Sequence, residues 1–317
     1  MRIALKLVAG LLLALVVVVA AGVAFTWQPD VQVAALRERW APPPSTFIEV
    51  DGMQVHLRDE GPRDDPTPIV LIHGTSASLH TWEGWTQALR GTRRVLTFDL
   101  PGFGLTGPNR SGDYSDESYV RFTLQVMDTL KLQRVVLGGN SLGGAIAWET
   151  AAAAPQRVAQ LILVDAAGYP LDSVSVPIGF RIARLPVLRE LMKYTLPRGT
   201  IESSVRNVYG HPERVTPELV DRYFAMTSRA GNRQALGQRM NQLRWGEGLD
   251  RIRALRVPTL ILWGGRDRLI LPANAQRFAQ DIPGSSLVMF DDLGHVPHEE
   301  DPQRTVAAVQ RFLAANR

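Results

Sequence analysis

Short apolar runs recur from residue 47 onward and predict the strands of a sheet. The first two strands, Phe47–Val50 and Met53–Arg58, flank Asp51-Gly52, a pair of residues typical of a hairpin turn. Six further runs are mostly apolar, as expected for strands buried on both faces. They are Ile69–Ile72, Val95–Phe98, Val135–Leu137, Leu161–Val164, Thr259–Leu262 and Ser286–Phe290.

Helical patterns lie between these runs. The predicted helices are Thr81–Leu89, Glu117–Leu130, Leu142–Ala153, Ala273–Gln280 and Thr305–Ala315. Strands that alternate with helices after a leading hairpin indicate an α/β fold, in which a mostly parallel, doubly wound sheet is covered on both sides.

The interval 169–245 breaks this alternation. It contains helical patterns such as Pro186–Tyr194 and Pro217–Thr227, and no convincing strand. We therefore predict a core formed by residues 46–168 and 246–317, with residues 169–245 as a helical cap above the carboxyl edge of the sheet.

The amino terminus carries an uncharged run from Leu7 to Trp27, preceded by Arg2 and Lys6. A helix of about 20 residues spans about 30 Å, the thickness of a bilayer's hydrocarbon core. The apolar region of a cleaved signal peptide is shorter, about 7–15 residues. We therefore predict a transmembrane anchor over 1–27, with a signal peptide cleaved near Gly22 or Ala24 as the alternative.

The basic residues before the anchor predict its orientation. Arg2 and Lys6 should stay on the cytoplasmic side, which places the remainder of the chain on the periplasmic side of an inner (cytoplasmic) membrane. Residues 28–45 are predicted to form a juxtamembrane helix, with Val33, Leu36 and Trp40 on one face, and a proline-rich linker. A plain linker helix is the alternative to a helix at the membrane surface.

Charge and cysteine content exclude several classes of protein. The formal net charge is only +4, from 35 basic and 31 acidic residues, with no basic block of the kind that binds nucleic acid. The chain has no cysteine, which excludes disulfides, cysteine-based zinc sites and a thiol nucleophile.

The pentapeptide Gly139-Asn140-Ser141-Leu142-Gly143 lies between a predicted strand and a predicted helix. In that setting G-x-S-x-G is a nucleophile elbow, a turn so tight that the positions two before and two after the serine must be glycine. Ser141 is therefore the candidate nucleophile.

A serine hydroxyl needs a base, and the fold requires the chain order serine, acid, histidine. His295 follows the last predicted strand and is the candidate base, whereas His298 is expected to be a surface or helix-start residue. Asp267 follows the preceding strand and is the candidate acid. Asp165, which follows the strand before that, is the alternative acid.

Two backbone amides are expected to bind the oxyanion. One belongs to Leu142, at the start of the helix after the serine, and the other to Thr75, in the loop after Ile69–Ile72.

Two other motifs resemble sites but lack the required setting. Gly102–Gly107 fits G-x-G-x-x-G, but prolines flank it and no helix opens there, so no dinucleotide site is expected. His295, His298 and Glu299 resemble metal ligands, but Pro297 keeps the two histidines off one regular helix face. No metal or other cofactor is expected.

Together the motifs resemble those of the α/β-hydrolase superfamily, of the AB hydrolase-1 kind, from about Phe47 to the end of the chain. The motifs are Leu71-Ile72-His73-Gly74, Asp99-Leu100-Pro101-Gly102-Phe103-Gly104, Gly-Asn-Ser-Leu-Gly-Gly at 139–144, Trp263-Gly264-Gly265-Arg266-Asp267 and Gly294-His295-Val296-Pro297-His298-Glu299-Glu300.

Within this superfamily, Ser141 argues against haloalkane dehalogenases and epoxide hydrolases, whose nucleophile is Asp. The Asn140-Ser141 pair is similar to that of meta-cleavage C–C hydrolases, but those typically carry Trp after the histidine, where Val296 stands here. The anchor, juxtamembrane helix and cap together resemble the membrane-anchored phospholipase A and esterase proteins of bacterial inner membranes, which implies carboxylester substrates.

The expected function is hydrolysis of carboxylic esters of lipid-like acyl substrates, of the esterase, lipase or phospholipase A type, through an acyl-enzyme. The alternatives are a C–C bond hydrolase of the meta-cleavage type and a non-catalytic ligand-binding protein on the same fold. The expected partners are a lipid or small ester and the bilayer that holds the anchor. No nucleic acid is expected, and a homodimer is left open.

Overall fold

A computed structural model describes residues 2–244 and 246–316. Three residues at predicted boundaries lie outside the described residues. Met1 begins the predicted anchor, Trp245 ends the predicted cap, and Arg317 ends the predicted core. One sheet of eight strands has the order β1-β2-β4-β3-β5-β6-β7-β8. The strands are β1 Thr46–Val50, β2 Met53–Glu60, β3 Ile69–Ile72, β4 Val95–Phe98, β5 Val135–Asn140, β6 Val158–Val164, β7 Thr259–Gly264 and β8 Ser286–Phe290.

The pairing within this sheet is mostly parallel. β1 and β2 pair antiparallel, and β2 pairs antiparallel with β4. Strands β3 to β8 pair parallel with one another. The chain passes from β3 to its neighbour on one side, β4, and then to its neighbour on the other side, β5. Ligands of such sheets bind outside the carboxyl ends of the strands where the strand order reverses in this way.

Helices follow the strands. They are α1 Arg2–Phe25, α2 Val33–Trp40, α3 Glu83–Leu89, α4 Asp116–Thr129, α5 Leu142–Ala153, α6 Ile178–Arg184, α7 Pro186–Met192, α8 Arg198–Val208, α9 Pro217–Ser228, α10 Asn232–Gln242, α11 Leu249–Ala254, α12 Ala273–Asp281, α13 Pro297–Glu300 and α14 Pro302–Ala315. Three short 3₁₀ segments lie at Leu79–Trp82, Pro155–Arg157 and Pro212–Arg214.

Both faces of the central strands are buried, which explains their apolar runs. Along β3, Val70 and Ile72 belong to one cluster of buried side chains, whereas Ile69 and Leu71 belong to another. Because successive side chains of a strand point to opposite faces, each cluster fills one face of the sheet. The helices therefore cover the sheet on both sides, as the alternating pattern predicts.

The interval between β6 and β7 supplies α6 to α11, and no strand of the sheet comes from its described part. The division into core and cap at residues 169 and 245 stays a prediction, and we refer to this interval as the helical insertion.

The amino-terminal segment contacts both the sheet domain and the insertion. Helix α1 is long and apolar enough to cross a membrane, and none of its described residues is buried. Leu36 of α2 packs with Leu105, near the sheet, and with Met226 of α9. Asp30 forms an ion pair with buried Arg233 of α10 at 2.6 Å. The linker between α1 and β1 is thus tied to both parts of the protein.

Candidate active site

Ser141 lies on a strained turn between β5 and α5. Its backbone angles are φ 56° and ψ −115°, a conformation that costs a non-glycine residue energy. A Cβ atom on Gly139 would lie 2.1 Å from the Gly143 carbonyl oxygen, and one on Gly143 would lie 2.1 Å from the Ile72 carbonyl oxygen. Only glycine therefore fits at these two positions, and the turn raises Ser141 at the carboxyl edge of the sheet.

Asp267 and His295 meet beside this turn. His295 Nδ1 lies 2.7 Å from Asp267 Oδ2, and both side chains are buried. The other carboxylate oxygen of Asp267 accepts hydrogen bonds from the backbone N–H groups of Leu269 and Ile270, at 2.8 and 3.0 Å. The Asp267 carboxylate is thus fixed in a position that orients the imidazole of His295.

Asp165, the alternative acid, lies nearby in a different role. Its Oδ1 accepts the backbone N–H of Gly264 at 3.0 Å. Ligand atoms of Asp165, Asp267 and His295 lie within 4.8 Å of one another. Burial, and next the negative charge of Asp267, raise the pKa of Asp165 well above its usual range. The raised pKa favours the neutral form of Asp165, and of the two carboxylates it is Asp267 that contacts the His295 ring, at 2.7 Å.

The loop after β3 packs against the serine turn. A Cβ atom on Gly74 would lie 3.2 Å from Ser141 Cβ, so the two backbones are in close approach. Thr75 follows and lines the same cavities as Ser141. Leu142, whose amide opens α5, lines the smaller of these cavities. The two predicted oxyanion donors thus flank Ser141.

His73 fixes the direction of the Thr75 amide. The backbone N–H of Leu100 donates to His73 Nε2 at 3.0 Å, so Nδ1 carries the hydrogen and donates to the Gly74 carbonyl oxygen at 2.7 Å. Burial lowers the pKa of His73, which keeps the ring neutral. Because the Gly74 carbonyl and the Thr75 N–H belong to one planar trans peptide, holding the oxygen also aims the N–H.

Asn140 connects the serine turn to the histidine loop, a role that sequence reasoning missed. Its side-chain amide donates to the carbonyl oxygens of Val164 at 3.1 Å and of His295 at 2.9 Å. The only feature of the sequence that could have indicated this role is the position of Asn140 directly before Ser141.

Glu300 is a second residue that sequence reasoning missed. Its carboxylate accepts backbone N–H groups from Gly294 and Gly210 at 2.9 Å and from His211 at 2.7 Å. The backbone N–H of His295 also donates to the Val208 carbonyl oxygen at 2.7 Å. These bonds tie the His295 loop to the helical insertion.

His298 is expected from the sequence to be a surface residue or a residue at the start of a helix. It lies at a helix start, and the expectation of a surface position is wrong. The residue lies in the first turn of α13 and is fully buried. The centroid of its ring lies 4.0 Å from that of the Trp82 ring, at an interplanar angle of 31°, and its Nε2 lies 3.0 Å from Thr81 Oγ1. Burial, and next the charge of His295, hold its pKa well below the usual value.

Two cavities meet at Ser141, and Thr75, Phe180 and Leu269 also line both. The larger measures ≈ 1280 Å³, part of it open to solvent, and contains His295. Helices α6, α7 and α8 supply a large part of its wall, and the surface of the cavity is mostly apolar. We call it the apolar cavity.

The smaller cavity, of ≈ 710 Å³, follows α5 and has a polar end. Glu149 and Arg239 line it, and both are buried. Arg239 donates to Asp116 Oδ1 at 2.6 Å. Burial, and next the charge of Asp116, raise the pKa of Glu149 to about 7. We call this the polar cavity.

Comparison with known proteins assigns the family. A family model described as alpha/beta hydrolase fold matches residues 67–302, which is most of the chain. The chain belongs to this family. Its fold, the parallel sheet and the elbow at Ser141 agree with that assignment, and the protein is accordingly a hydrolase.

Relatives of this hydrolase carry the names of different kinds of hydrolase. It is 30% identical over 281 residues to 2-hydroxy-6-oxo-2,4-heptadienoate hydrolase of Pseudomonas putida, covering 85% of this chain and 96% of the relative. It is 28% identical over 249 residues to Lipase 1 of Psychrobacter immobilis, covering 77% and 76%. The solved structure of a membrane phospholipase A, described as a bacterial virulence factor, matches at 25% identity with a TM-score of 0.73 and covers 98% of each chain.

Proposed function

We propose that this hydrolase is a membrane-anchored carboxylester hydrolase that acts on lipid-like acyl substrates, with Ser141 as nucleophile, His295 as base and Asp267 as acid. The observation that carries this proposal is the apolar cavity that begins at Ser141 and His295. A cavity lined in this way suits an acyl chain, because burying apolar surface there is favourable.

The proposed reaction uses each residue at a defined atom. His295 Nε2 takes the proton of Ser141 as Oγ attacks the ester carbonyl. The amides of Thr75 and Leu142 stabilise the oxyanion. The alcohol then leaves with the proton from His295, and an acyl-enzyme remains on Ser141. His295 next takes a proton from water, whose oxygen attacks the acyl carbonyl, and the acid leaves as Ser141 regains its proton.

The helix α1 supports a location at a membrane. In our proposal it anchors the protein in the inner membrane, with the hydrolase domain on the periplasmic side, because Arg2 and Lys6 precede the apolar run. The match to the membrane phospholipase A spans 98% of this chain, so it includes the amino-terminal helices. An anchor would keep the site close to substrates that partition into lipid.

C–C bond hydrolysis is the second candidate function. The relative from Pseudomonas putida, at 30% identity, is named as a hydrolase of 2-hydroxy-6-oxo-2,4-heptadienoate. The polar cavity beside Ser141, with Arg239 and Glu149, would suit the carboxylate end of such a substrate better than an acyl chain. Val296, in the place where those enzymes typically carry Trp, argues against it.

A substrate comparison separates the two functions. The full chain in detergent would be assayed with p-nitrophenyl butyrate, p-nitrophenyl octanoate and 2-hydroxy-6-oxo-2,4-heptadienoate, with Ser141→Ala as the control. We expect kcat/KM to be highest for the octanoyl ester and lowest for the dienoate. A dienoate value above both ester values would replace this proposal with C–C hydrolysis, and turnover of neither class would favour a binding protein.

A further inference from the structure

Large exposed apolar side chains lie in few places on this protein. Outside α1, those in the described part of the chain are Trp27, just after α1, and Val174, Ile178, Leu185, Val187, Leu188 and Tyr194. Val187 is 75% exposed and Leu185 52%. We call residues 174–194 the apolar ridge. A soluble surface seldom exposes so many neighbouring apolar side chains, and such patches mark binding to another protein or to a membrane.

Backbone hydrogen bonds join the ridge to the end of the anchor. The N–H of Gln28 donates to the Tyr194 carbonyl oxygen at 2.9 Å, and the N–H of Leu196 donates to the Thr26 carbonyl oxygen at 3.1 Å. The rings of Trp27 and Tyr194 stack with their centroids 5.6 Å apart. Residues directly after a membrane-spanning helix lie at the bilayer surface, where Trp and Tyr are enriched. With α1 as the proposed anchor, Tyr194 is therefore held at that surface.

The charge of this region complements an anionic lipid surface. The ridge, residues 174–194, contains four basic residues and one acidic residue, Glu190. The basic residues are Arg181, Arg184, Arg189 and Lys193, of which Lys193 forms an ion pair with Glu190. Apolar side chains interleaved with basic ones are the composition of helices that lie in a bilayer interface, since the cations attract anionic headgroups while the apolar groups enter the acyl region.

The same segment forms a wall of the apolar cavity. Leu188 is 39% exposed on the ridge and also lines the cavity that leads to Ser141. Leu191, Thr195 and Leu196 line it as well. Leu188 therefore belongs both to the exposed ridge and to the lining of the cavity.

We propose that the apolar ridge inserts into the surface of an anionic bilayer, and that an acyl chain enters the apolar cavity from that bilayer beside Leu188. The substrate part of this inference rests on the proposed function. The partner is thus a lipid surface, and the ridge is the entrance to the cavity. The ester of a membrane lipid then reaches Ser141 without its acyl chain crossing water.

Insertion is measured with single cysteines, which this cysteine-free chain permits. Val187→Cys on the ridge and Gln310→Cys on α14 would each be labelled with an environment-sensitive fluorophore. The full chain would be reconstituted in vesicles of phosphatidylcholine and phosphatidylglycerol that contain nitroxide-labelled lipid. We expect strong quenching at position 187 and little at 310. Equal quenching at both positions would overturn the proposal, and so would quenching at 187 that is unchanged in vesicles of phosphatidylcholine alone.

The entrance is tested with Val187→Glu, and Gln310→Glu is the matched control. We expect Val187→Glu to hydrolyse phospholipid in vesicles at least tenfold more slowly than wild type, with p-nitrophenyl butyrate turnover unchanged within twofold. Equal phospholipid turnover by Val187→Glu and wild type would refute the entrance. A third outcome is that wild type hydrolyses soluble esters but no vesicle lipid while position 187 is still quenched. That result would refute the lipid substrate and support insertion of the ridge into the bilayer.

Discussion

The side-chain amide of Asn140 donates to the carbonyl oxygen of His295 at 2.9 Å. Asn140 directly precedes Ser141 in the tight turn, and His295 lies in the loop after β8. The bond therefore links the turn of Ser141, the proposed nucleophile, to the loop of His295, the proposed base, independently of the bond between His295 and Asp267.

Asn140→Ala is expected to lower kcat by about tenfold to a hundredfold, because small displacements of reacting groups are costly. Two buried carbonyl oxygens also lose a donor, which should lower the free energy of unfolding by about 1–3 kcal/mol. Asn274→Ala, on α12, is the control, since its side chain also bonds a backbone carbonyl. The control should lose stability and keep kcat. An Asn140→Ala enzyme with wild-type kcat would contradict the positioning role.

The two buried aspartates should respond differently to replacement by asparagine. Asp267→Asn is expected to lower kcat by about 10⁴, as loss of the triad carboxylate does in other serine hydrolases. Asp165→Asn should keep kcat within a few fold, because the raised pKa of Asp165 favours its neutral form and Asn can still accept the Gly264 N–H. Steady-state kinetics of both variants measure this. The reverse ranking would make Asp165 the acid.

Glu149 should make stability depend on pH. Its pKa is raised from 4.5 to about 7, so its protonated form stabilises the folded state. That contribution is complete below pH 4.5 and is lost as the pH rises through about 7. The Tm of wild type should therefore fall more between pH 5 and pH 8 than the Tm of Glu149→Gln. Parallel changes in Tm, recorded in detergent, would show that Glu149 does not titrate in this range.

His73→Phe tests the orientation of the Thr75 amide. An aromatic ring is kept, but the hydrogen bond to the Gly74 carbonyl oxygen and the one from the Leu100 N–H are both lost. Complete loss of one oxyanion donor costs about 10²–10³ in kcat. A misaimed donor should cost less, so we expect a decrease of about tenfold to a hundredfold with KM nearly unchanged. A change confined to KM would place His73 in substrate binding instead.

The strands of the parallel sheet could be predicted closely because their sequence environment is uniform. Ile69–Ile72, Val95–Phe98 and Ser286–Phe290 have the predicted ends, since each is a short apolar run bounded by polar or turn residues. β5 extends three residues further than predicted, to Asn140. Gly139 and Asn140 pair with Leu163 and Val164 of β6, and glycine and asparagine carry no strand signal of their own.

The site could be predicted as far as residue types and loop order determine it. Ser141, Asp267 and His295 each follow a strand, and parallel strands bring their carboxyl ends to one edge. The supporting bonds could not be predicted in this way. Glu300 bonds Gly210, 90 positions away, and His298 is buried by a contact with Thr81, 217 positions away. Such pairs share no periodicity or spacing in the sequence.

Covalent labelling of Ser141 is the most direct test of the account. The full chain would be treated with a fluorophosphonate, digested and examined by mass spectrometry, beside Ser141→Ala and His295→Ala. We predict one adduct, on the peptide that contains Ser141, absent from Ser141→Ala and greatly slowed in His295→Ala. An adduct on another residue, or a Ser141→Ala protein that still hydrolyses p-nitrophenyl esters at the wild-type rate, would contradict the assignment of Ser141 as the nucleophile.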